Sequence, residues 1–223
     1  MTPGKRWLAA IWPRVRAHLP PAPARVVDVG CGALGGFVPM LRAEGYDALG
    51  IDPEAPEGAH YRRIEFERAD LPRQVDAVVA STSLHHVANP AQVIDRITDT
   101  VKSGGVVVVV EWAWERFDEQ TAKWCFARLG TDAEAGWLQR RRDEWLASGR
   151  EWSTQLRDWA RREGLHRAEA LVGLLDERLE RRLLNDGPYF FPDLADTSEA
   201  EEQRAIDAGR IQATRIDYVG TSR

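Results

Sequence analysis

The sequence predicts a doubly wound α/β fold: a mostly parallel, seven-stranded sheet with an antiparallel edge strand and a helical cap inserted after strand 5. Short apolar runs alternate with helical periodicity in the first half of the chain. A glycine-rich turn joins the first run to a helix, and the tail repeats a strand, helix and strand pattern. At 223 residues we expect one domain over 1–223, with 112–178 as the cap.

The first half of the chain supplies most of the predicted sheet. An amphipathic helix over Lys5–Leu19, limited or bent by Pro13, comes first. The predicted strands that follow are Val26–Val29, Ala48–Ile51, Ile64–Phe66, Val75–Ala80 and Val106–Val110. The helices between them are Phe37–Glu44, closed by Gly45, and Pro90–Val101, capped by Asn89. Alternation of this kind is typical of a parallel sheet covered on both faces.

The second half begins with a segment rich in Trp, Arg and Glu, which we interpret as the cap. Its predicted helical stretches are Glu119–Leu129, Ala133–Leu146 and Thr154–Glu163. The tail contains a strand within Leu179–Phe191, a helix opened by the capping box Ser198–Glu201, and a final strand Ile211–Val219. We expect the two tail strands to pair antiparallel at the sheet edge.

Composition excludes several classes of partner. The 35 acidic residues outnumber the 30 basic ones and the bases are scattered, so we expect no nucleic-acid partner. The longest apolar strand, Val106–Val110, is far shorter than the roughly 18 residues of a membrane span, and we expect neither a membrane segment nor a signal peptide. Cys31 and Cys125 are the only cysteines and form no metal-binding cluster, which favours a reducing, cytoplasmic location and no metal.

The glycine turn runs from Val26 to Gly36 and lies directly between a strand and a helix. Its glycines allow the backbone to turn tightly and approach a ligand, and the amides at the helix start favour an anionic group. The spacing Gly30-x-Gly32-x-x-Gly35 also matches a dinucleotide fingerprint. The glycines alone therefore do not separate a nicotinamide cofactor from S-adenosylmethionine.

Three aspartates favour an adenosyl amino acid. Asp28 stands beside the turn, where a carboxylate can bind an ammonium group but would repel a pyrophosphate. Asp52 ends the second strand and can accept both ribose hydroxyls, as either cofactor would require. Asp70, after the third predicted strand, can accept a hydrogen bond from an adenine amine while Leu71 covers the base.

Four features follow one another along the chain: Val27-Asp28-Val29-Gly30-Cys31-Gly32, Asp52, Asp70 and Leu84-His85-His86-Val87. With these features in this order, residues 24–112 resemble the class I S-adenosylmethionine-dependent methyltransferases. Within that superfamily the chain is similar to the small-molecule group with a Leu-His-His signature after strand 4. The resemblance implies a Rossmann-like fold with S-adenosyl-L-methionine as cofactor. The implied cofactor contacts are Asp28, Gly30, Cys31, Gly32, Asp52, Pro53, Asp70, Leu71 and Ser81.

The chemistry is expected beyond the carboxyl ends of strands 4 and 5. The candidate catalytic residues there are His85, His86 and Glu111. Either histidine could remove a proton from a hydroxyl acceptor. Because the side chains of adjacent residues usually diverge, we expect one of the two histidines to point away from the site. Trp112, Trp114 and Tyr189 are candidate aromatic walls.

The interpretation is a methyltransferase that acts by in-line displacement on the oxygen, nitrogen or carbon of a small molecule. One alternative is an NAD(P)-dependent oxidoreductase, although no tyrosine is followed four residues later by lysine. Another is a non-catalytic cofactor-binding protein. Methylation of nucleic-acid bases is disfavoured, since Ser81-Thr82-Ser83-Leu84 stands where those enzymes carry an Asn/Asp-Pro-Pro-aromatic motif. The oligomeric state is not predicted.

Overall fold

The protein is described by a computed structural model over residues 1–130 and 136–223. These residues contain a seven-stranded sheet with the strand order β3-β2-β1-β4-β5-β7-β6. The strands are β1 Arg25–Val29, β2 Asp47–Ile51, β3 Tyr61–Arg62, β4 Val75–Ser81, β5 Val101–Trp112, β6 Leu179–Gly187 and β7 Arg215–Ser222. The predicted doubly wound, mostly parallel sheet is therefore confirmed.

The middle of the sheet is buried on both faces, as the valine-rich sequence predicts. Val107 and Val109 of β5 belong to the core on one face, whereas Val108 and Val110 belong to the core on the other. β1 pairs in parallel with β2 on one side and with β4 on the other. The order of strands reverses between β1 and β4, which is where ligands bind in open α/β sheets.

The tail strands complete the sheet. β7 runs antiparallel to both β5 and β6, so it is the one reversed strand among those described and β6 forms the edge. The predicted antiparallel pairing is confirmed, although the bounds shift: β6 ends at Gly187, before Pro188, and β7 begins at Arg215.

The prediction for the third strand was wrong. A strand over Ile64–Phe66 was expected, but β3 comprises only Tyr61–Arg62, and Phe66 lies in a 3-10 turn. The backbone amides of Gly50 and Asp52 donate to the carbonyls of residues 60 and 62, which fixes the pairing earlier in the chain. Ile64 is consequently exposed rather than buried.

Eight helices are described: α1 Pro3–Arg16, α2 Val38–Ala43, α3 Pro90–Thr100, α4 Glu119–Phe126, α5 Trp137–Ser148, α6 Trp152–Arg162, α7 Ala168–Arg178 and α8 Glu199–Asp207. The predicted capping box of α8 is present, with Ser198 and Glu201 bonded reciprocally. α1 continues past Pro13 to Arg16. The start of the predicted helix Ala133–Leu146 lies outside the described residues.

The segment between β5 and β6 divides into two parts. α4, α5 and α6 surround an aromatic core of their own, as a cap would. α7, which the sequence pattern did not predict, packs against α3, and its Leu171 and Leu175 join the core of the sheet. That residues 1–223 form a single domain, with 112–178 as its cap, stays a prediction.

Within residues 1–130 and 136–223, no helix is long and apolar enough to cross a membrane. The same residues contain no group of three or more His, Cys, Asp or Glu side chains arranged to hold a metal ion.

Candidate active site

The glycine turn between β1 and α2 adopts a conformation that requires glycine. Gly30, Gly32, Gly35 and Gly36 all have positive φ angles, between 55° and 78°. A Cβ at Gly36 would lie 2.2 Å from Asp28 Oδ2, whereas a Cβ at Gly32 would meet no protein atom within 4 Å. Gly36 is therefore needed for packing, and Gly32 leaves open space beside the turn.

Asp28 lies under this turn, and only 1% of its surface is exposed. Its Oδ2 accepts a hydrogen bond of 2.6 Å from the backbone amide of Phe37. Burial raises the pKa of Asp28 from 3.8 to about 7, with a smaller upward contribution from Asp52 and an opposing one from the Phe37 amide. A cationic ligand group would favour the ionised form of this carboxyl.

A cleft of about 800 Å³ opens at the carboxyl ends of β1, β2 and β4. This volume is within the range typical of small-molecule sites. Seven of the nine predicted cofactor residues line it: Asp28, Gly30, Cys31, Gly32, Asp52, Pro53 and Ser81. The structure thus brings the glycine turn and two of the three aspartates to one cavity. Burial raises the pKa of the Cys31 thiol, so it stays protonated near neutral pH.

Asp70 and Leu71 are not brought to this cleft. Asp70 is exposed and Leu71 is half-buried, and both line a separate cavity beside Arg96. Because β3 ends at Arg62, the chain reaches the cleft earlier, and residues 65–68 line it instead. Phe66 is the buried apolar side chain among these four residues.

The N-terminal helix also contributes to the cleft, although no local sequence motif predicts this contribution. Trp7 and Leu8 of α1 line it. The indole Nε1 of Trp7 donates to Ser81 Oγ at 3.2 Å, and its ring lies edge-on to Tyr189 with centroids 4.9 Å apart. α1 therefore covers the cofactor cleft and connects it to the tail of the chain.

Glu111, at the end of β5, organises the turn after β4. It is fully buried, and its Oε1 accepts hydrogen bonds from the backbone amides of Ser83 (2.8 Å) and Leu84 (2.6 Å). Its Oε2 lies 2.5 Å from Nδ1 of His85, which is also buried. Thr82, the residue before Ser83, has a positive φ of 52°. A buried carboxylate thus fixes a sharply turned backbone together with one of the two histidines.

His86 is placed differently from His85. Its ring is exposed and lines both the cofactor cleft and a second cavity of about 450 Å³. Partial desolvation and the neighbouring His85 lower the pKa of His86 below its ordinary 6.5. His85 is bonded to Glu111 and lines only the second cavity, whereas His86 lines both cavities. The two rings nevertheless lie close together, with centroids 4.1 Å apart, so the side chains differ in environment rather than diverging.

The second cavity, here called the aromatic pocket, is lined by five rings from distant parts of the chain: Trp112, Trp137, Trp159, Tyr189 and Phe190. Tyr189 stacks on Trp112, with centroids 5.6 Å apart and 13° between the planes. Trp112 and Tyr189 were predicted walls, whereas Trp137 and Trp159 were not singled out. Trp114 does not line the pocket; its indole Nε1 donates to the carbonyl of residue 166.

The protein is thus a doubly wound α/β protein with a cleft at the switch point of its sheet, the position at which this class of fold binds nucleoside-containing cofactors. The chain belongs to the methyltransferase domain family, which it matches over residues 5–174. The prediction of a methyltransferase is confirmed at the level of this domain family. The nicotinamide-dependent alternative is not supported.

Curated relatives carry the name ubiquinone biosynthesis O-methyltransferase. The protein from Pseudomonas aeruginosa (strain UCBPP-PA14) is 30% identical over 193 residues, which cover 78% of each chain. The proteins from Stutzerimonas stutzeri and Bradyrhizobium sp. are 36% and 29% identical over 106 and 136 residues. These two alignments cover 40% and 54% of this chain but 45% and 51% of the relatives, so the chain spans about half of their length.

Solved structures of low identity share the fold. An S-adenosylmethionine-dependent methyltransferase from Mesorhizobium loti superposes with a TM-score of 0.57 at 19% identity, covering 95% of this chain and 97% of that one. Geranyl diphosphate C-methyltransferase from Streptomyces coelicolor, solved with S-adenosyl-L-homocysteine, gives a TM-score of 0.58 at 14% identity, covering 98% and 80%.

Proposed function

We propose that this protein transfers a methyl group from S-adenosylmethionine to a hydroxyl oxygen of a small molecule held in the aromatic pocket. The observation that carries the proposal is that His86 lines both the cofactor cleft and this pocket. The relatives named as O-methyltransferases favour oxygen over nitrogen or carbon as the acceptor atom. The proposal also assigns the chain to the small-molecule group with the Leu-His-His signature.

The residues of the cleft suit the cofactor. The open space at Gly32 leaves room for a ligand against the turn, and Asp28 can pair with its ammonium group. Asp52 lies at the end of β2, where it can accept the ribose hydroxyls. Phe66 offers an apolar surface for the adenine in place of the Asp70 and Leu71 pair. When bound, S-adenosylmethionine supplies an electrophilic methyl group, which leaves its sulfur as a bond to the acceptor oxygen forms.

His86 is the proposed general base. In its neutral form it can take the proton of the acceptor hydroxyl as that oxygen is methylated, and later release this proton to solvent. Its lowered pKa keeps the imidazole neutral near pH 7. His85 and Glu111 are positioning residues, because they hold the backbone turn that carries His86.

The test replaces His86 with glutamine and measures methyl transfer to phenolic hydroxyl compounds. We expect kcat to fall by at least about 100-fold, with the affinity for S-adenosylhomocysteine unchanged within about twofold. The wild-type rate should rise with pH through the lowered pKa of His86, and the variant should lose this rise. His18→Gln, which lies outside both cavities, is the control. Unchanged kcat and pH profile in His86→Gln would contradict the role of this residue.

The expected partner is thus a small-molecule acceptor. The lack of a nucleic-acid partner and the cytoplasmic location remain expectations from composition, and both cysteines are free and buried.

A further inference from the structure

Two N–H groups of residues that line the aromatic pocket have no hydrogen-bond acceptor among the described residues. The indole Nε1 of Trp112 and the guanidinium Nε of Arg141 are both buried and have no hydrogen-bond partner in the part of the chain that is described. Trp112 is 4% exposed, and both residues line the pocket. Buried donors without partners are costly, so a site that keeps two of them is suited to a ligand that accepts hydrogen bonds.

Two arginines, Arg140 and Arg141, and two acids, Glu163 and Asp193, line this pocket. The Arg141 guanidinium lies over the ring of Trp159, 5.2 Å from its centroid. One of its other nitrogens pairs with Glu144 at 2.5 Å on the same helix, which leaves Nε toward the interior. Because Arg141 already occupies the face of Trp159, a cationic ligand would meet a like charge there. Glu163 is exposed, so solvent screens its charge, whereas desolvation raises the pKa of Asp193 to about 6.

The aromatic walls of the pocket favour a ligand of planar shape. Trp112 and Tyr189 are stacked, whereas Trp137 stands edge-on to Trp112 with centroids 5.2 Å apart. Flat aromatic surfaces at different angles favour a planar ring, which can stack on one wall and meet the edge of another.

We infer that the acceptor is an aromatic hydroxyl compound that carries a carboxylate, with the carboxylate bound by Trp112 Nε1 and Arg141. This inference rests on the proposed function, since it places the acceptor hydroxyl at His86 at the entrance to the same pocket. A carboxylate has the acceptor oxygens to bind both donors at once. The ring then occupies the space between the aromatic walls.

The test uses three matched probes: 3,4-dihydroxybenzoate, catechol and 3,4-dihydroxybenzylamine. Each is titrated by calorimetry into the full chain saturated with S-adenosylhomocysteine. We expect 3,4-dihydroxybenzoate to bind at least about tenfold more tightly than catechol, and the amine to bind more weakly than catechol, because only the carboxylate satisfies the two donors.

A variant pair assigns the effect to the pocket. Arg141→Gln should reduce the affinity for 3,4-dihydroxybenzoate by about tenfold or more, and leave catechol within about twofold. Arg142→Gln is the matched control, since Arg142 is the next residue of the helix, pairs with Asp143 and does not line the pocket. Trp112→Phe, which keeps an aromatic ring but removes the N–H, should produce a smaller loss for the carboxylate probe alone.

The outcomes separate this inference from the function it rests on. Three results would overturn the inference: equal affinities for the three probes, tighter binding of the amine, or no binding of 3,4-dihydroxybenzoate to the protein saturated with S-adenosylhomocysteine. None of them would count against the cofactor site. If S-adenosylhomocysteine itself does not bind, both proposals are overturned.

Discussion

The buried carboxyl of Asp28 is suited to bind a cationic ligand group, but its ionisation lowers the free energy of unfolding of the protein. Its carboxyl is buried with one amide donor, and its pKa is raised from 3.8 to about 7. The folded protein therefore holds a proton that the unfolded chain loses above about pH 4. By linkage, the free energy of unfolding falls as the pH rises from about 4 to about 7, and stays low above that range.

Asp28→Asn should remove this dependence. We expect the variant to be more stable than the wild type at pH 8 by up to about 4 kcal/mol, because one pKa unit corresponds to about 1.4 kcal/mol, and the difference should disappear at pH 4. Urea unfolding at both pH values measures it. The same variant should bind S-adenosylhomocysteine more weakly at pH 8, since the amide carries no charge to pair with the ammonium. An identical stability difference at pH 4 and pH 8 would show that Asp28 is not the titrating group.

The sequence could predict which side chains reach the cleft where they directly follow a well-marked strand. It could not do so for side chains that follow a loop. Asp28 and Asp52 reach the cleft because β1 and β2 are fixed by buried valine and isoleucine runs whose length the sequence shows. Asp70 depends on where β3 ends, and a two-residue strand carries too little apolar pattern to predict. Phe66, four residues after the end of β3, lines the cleft instead.

At the scale of an element, the turn between β1 and α2 depends on Gly36. This residue has a φ of +55°, and a Cβ there would lie 2.2 Å from Asp28 Oδ2 and 2.9 Å from the Cβ of Cys31. Gly36→Ala should destabilise the protein by about 2–5 kcal/mol, as backbone strain and steric overlap add. The matched control is Gly149→Ala at the end of α5, with a φ of +61° and no atom within 4 Å of its Cβ; it should cost only about 1–2 kcal/mol.

Urea unfolding of both variants separates the two contributions, since they share the positive φ and differ only in packing. Equal losses for Gly36→Ala and Gly149→Ala would mean that the turn is not closely packed on Asp28.

Elements with strong apolar periodicity were predictable, and α7 shows why others were not. α3 follows a capping asparagine and has Val93, Ile94 and Ile97 on one buried face, so its bounds were close. α7 lies in a segment whose charged and apolar residues gave no clear assignment, yet Leu171 and Leu175 bury it against α3. Its helical state follows from the tertiary surface that the sheet layer provides.

At the scale of the whole molecule, the site forms where the region between β5 and β6 meets the sheet. The backbone amide of His166, between α6 and α7, donates to the carbonyl of His85 at 3.0 Å, and its Nε2 lies 2.8 Å from the carbonyl of Val87. These bonds connect the turn that carries His86 to the segment between α6 and α7. Sequence alone could not predict the aromatic pocket, because rings at positions 112, 137, 159 and 189 meet only through long-range packing.

Calorimetric titration of the full chain with S-adenosylhomocysteine and, separately, with NAD shows which of the two cofactors the cleft binds, since both ligands suit a glycine turn in this fold. We expect saturable one-to-one binding of S-adenosylhomocysteine, weakened at least about tenfold in Asp52→Ala by loss of hydrogen bonds to a charged acceptor. We expect no heat of binding with NAD. Binding of NAD together with no binding of S-adenosylhomocysteine would mean that the cleft is a nicotinamide site and not a methyl-donor site.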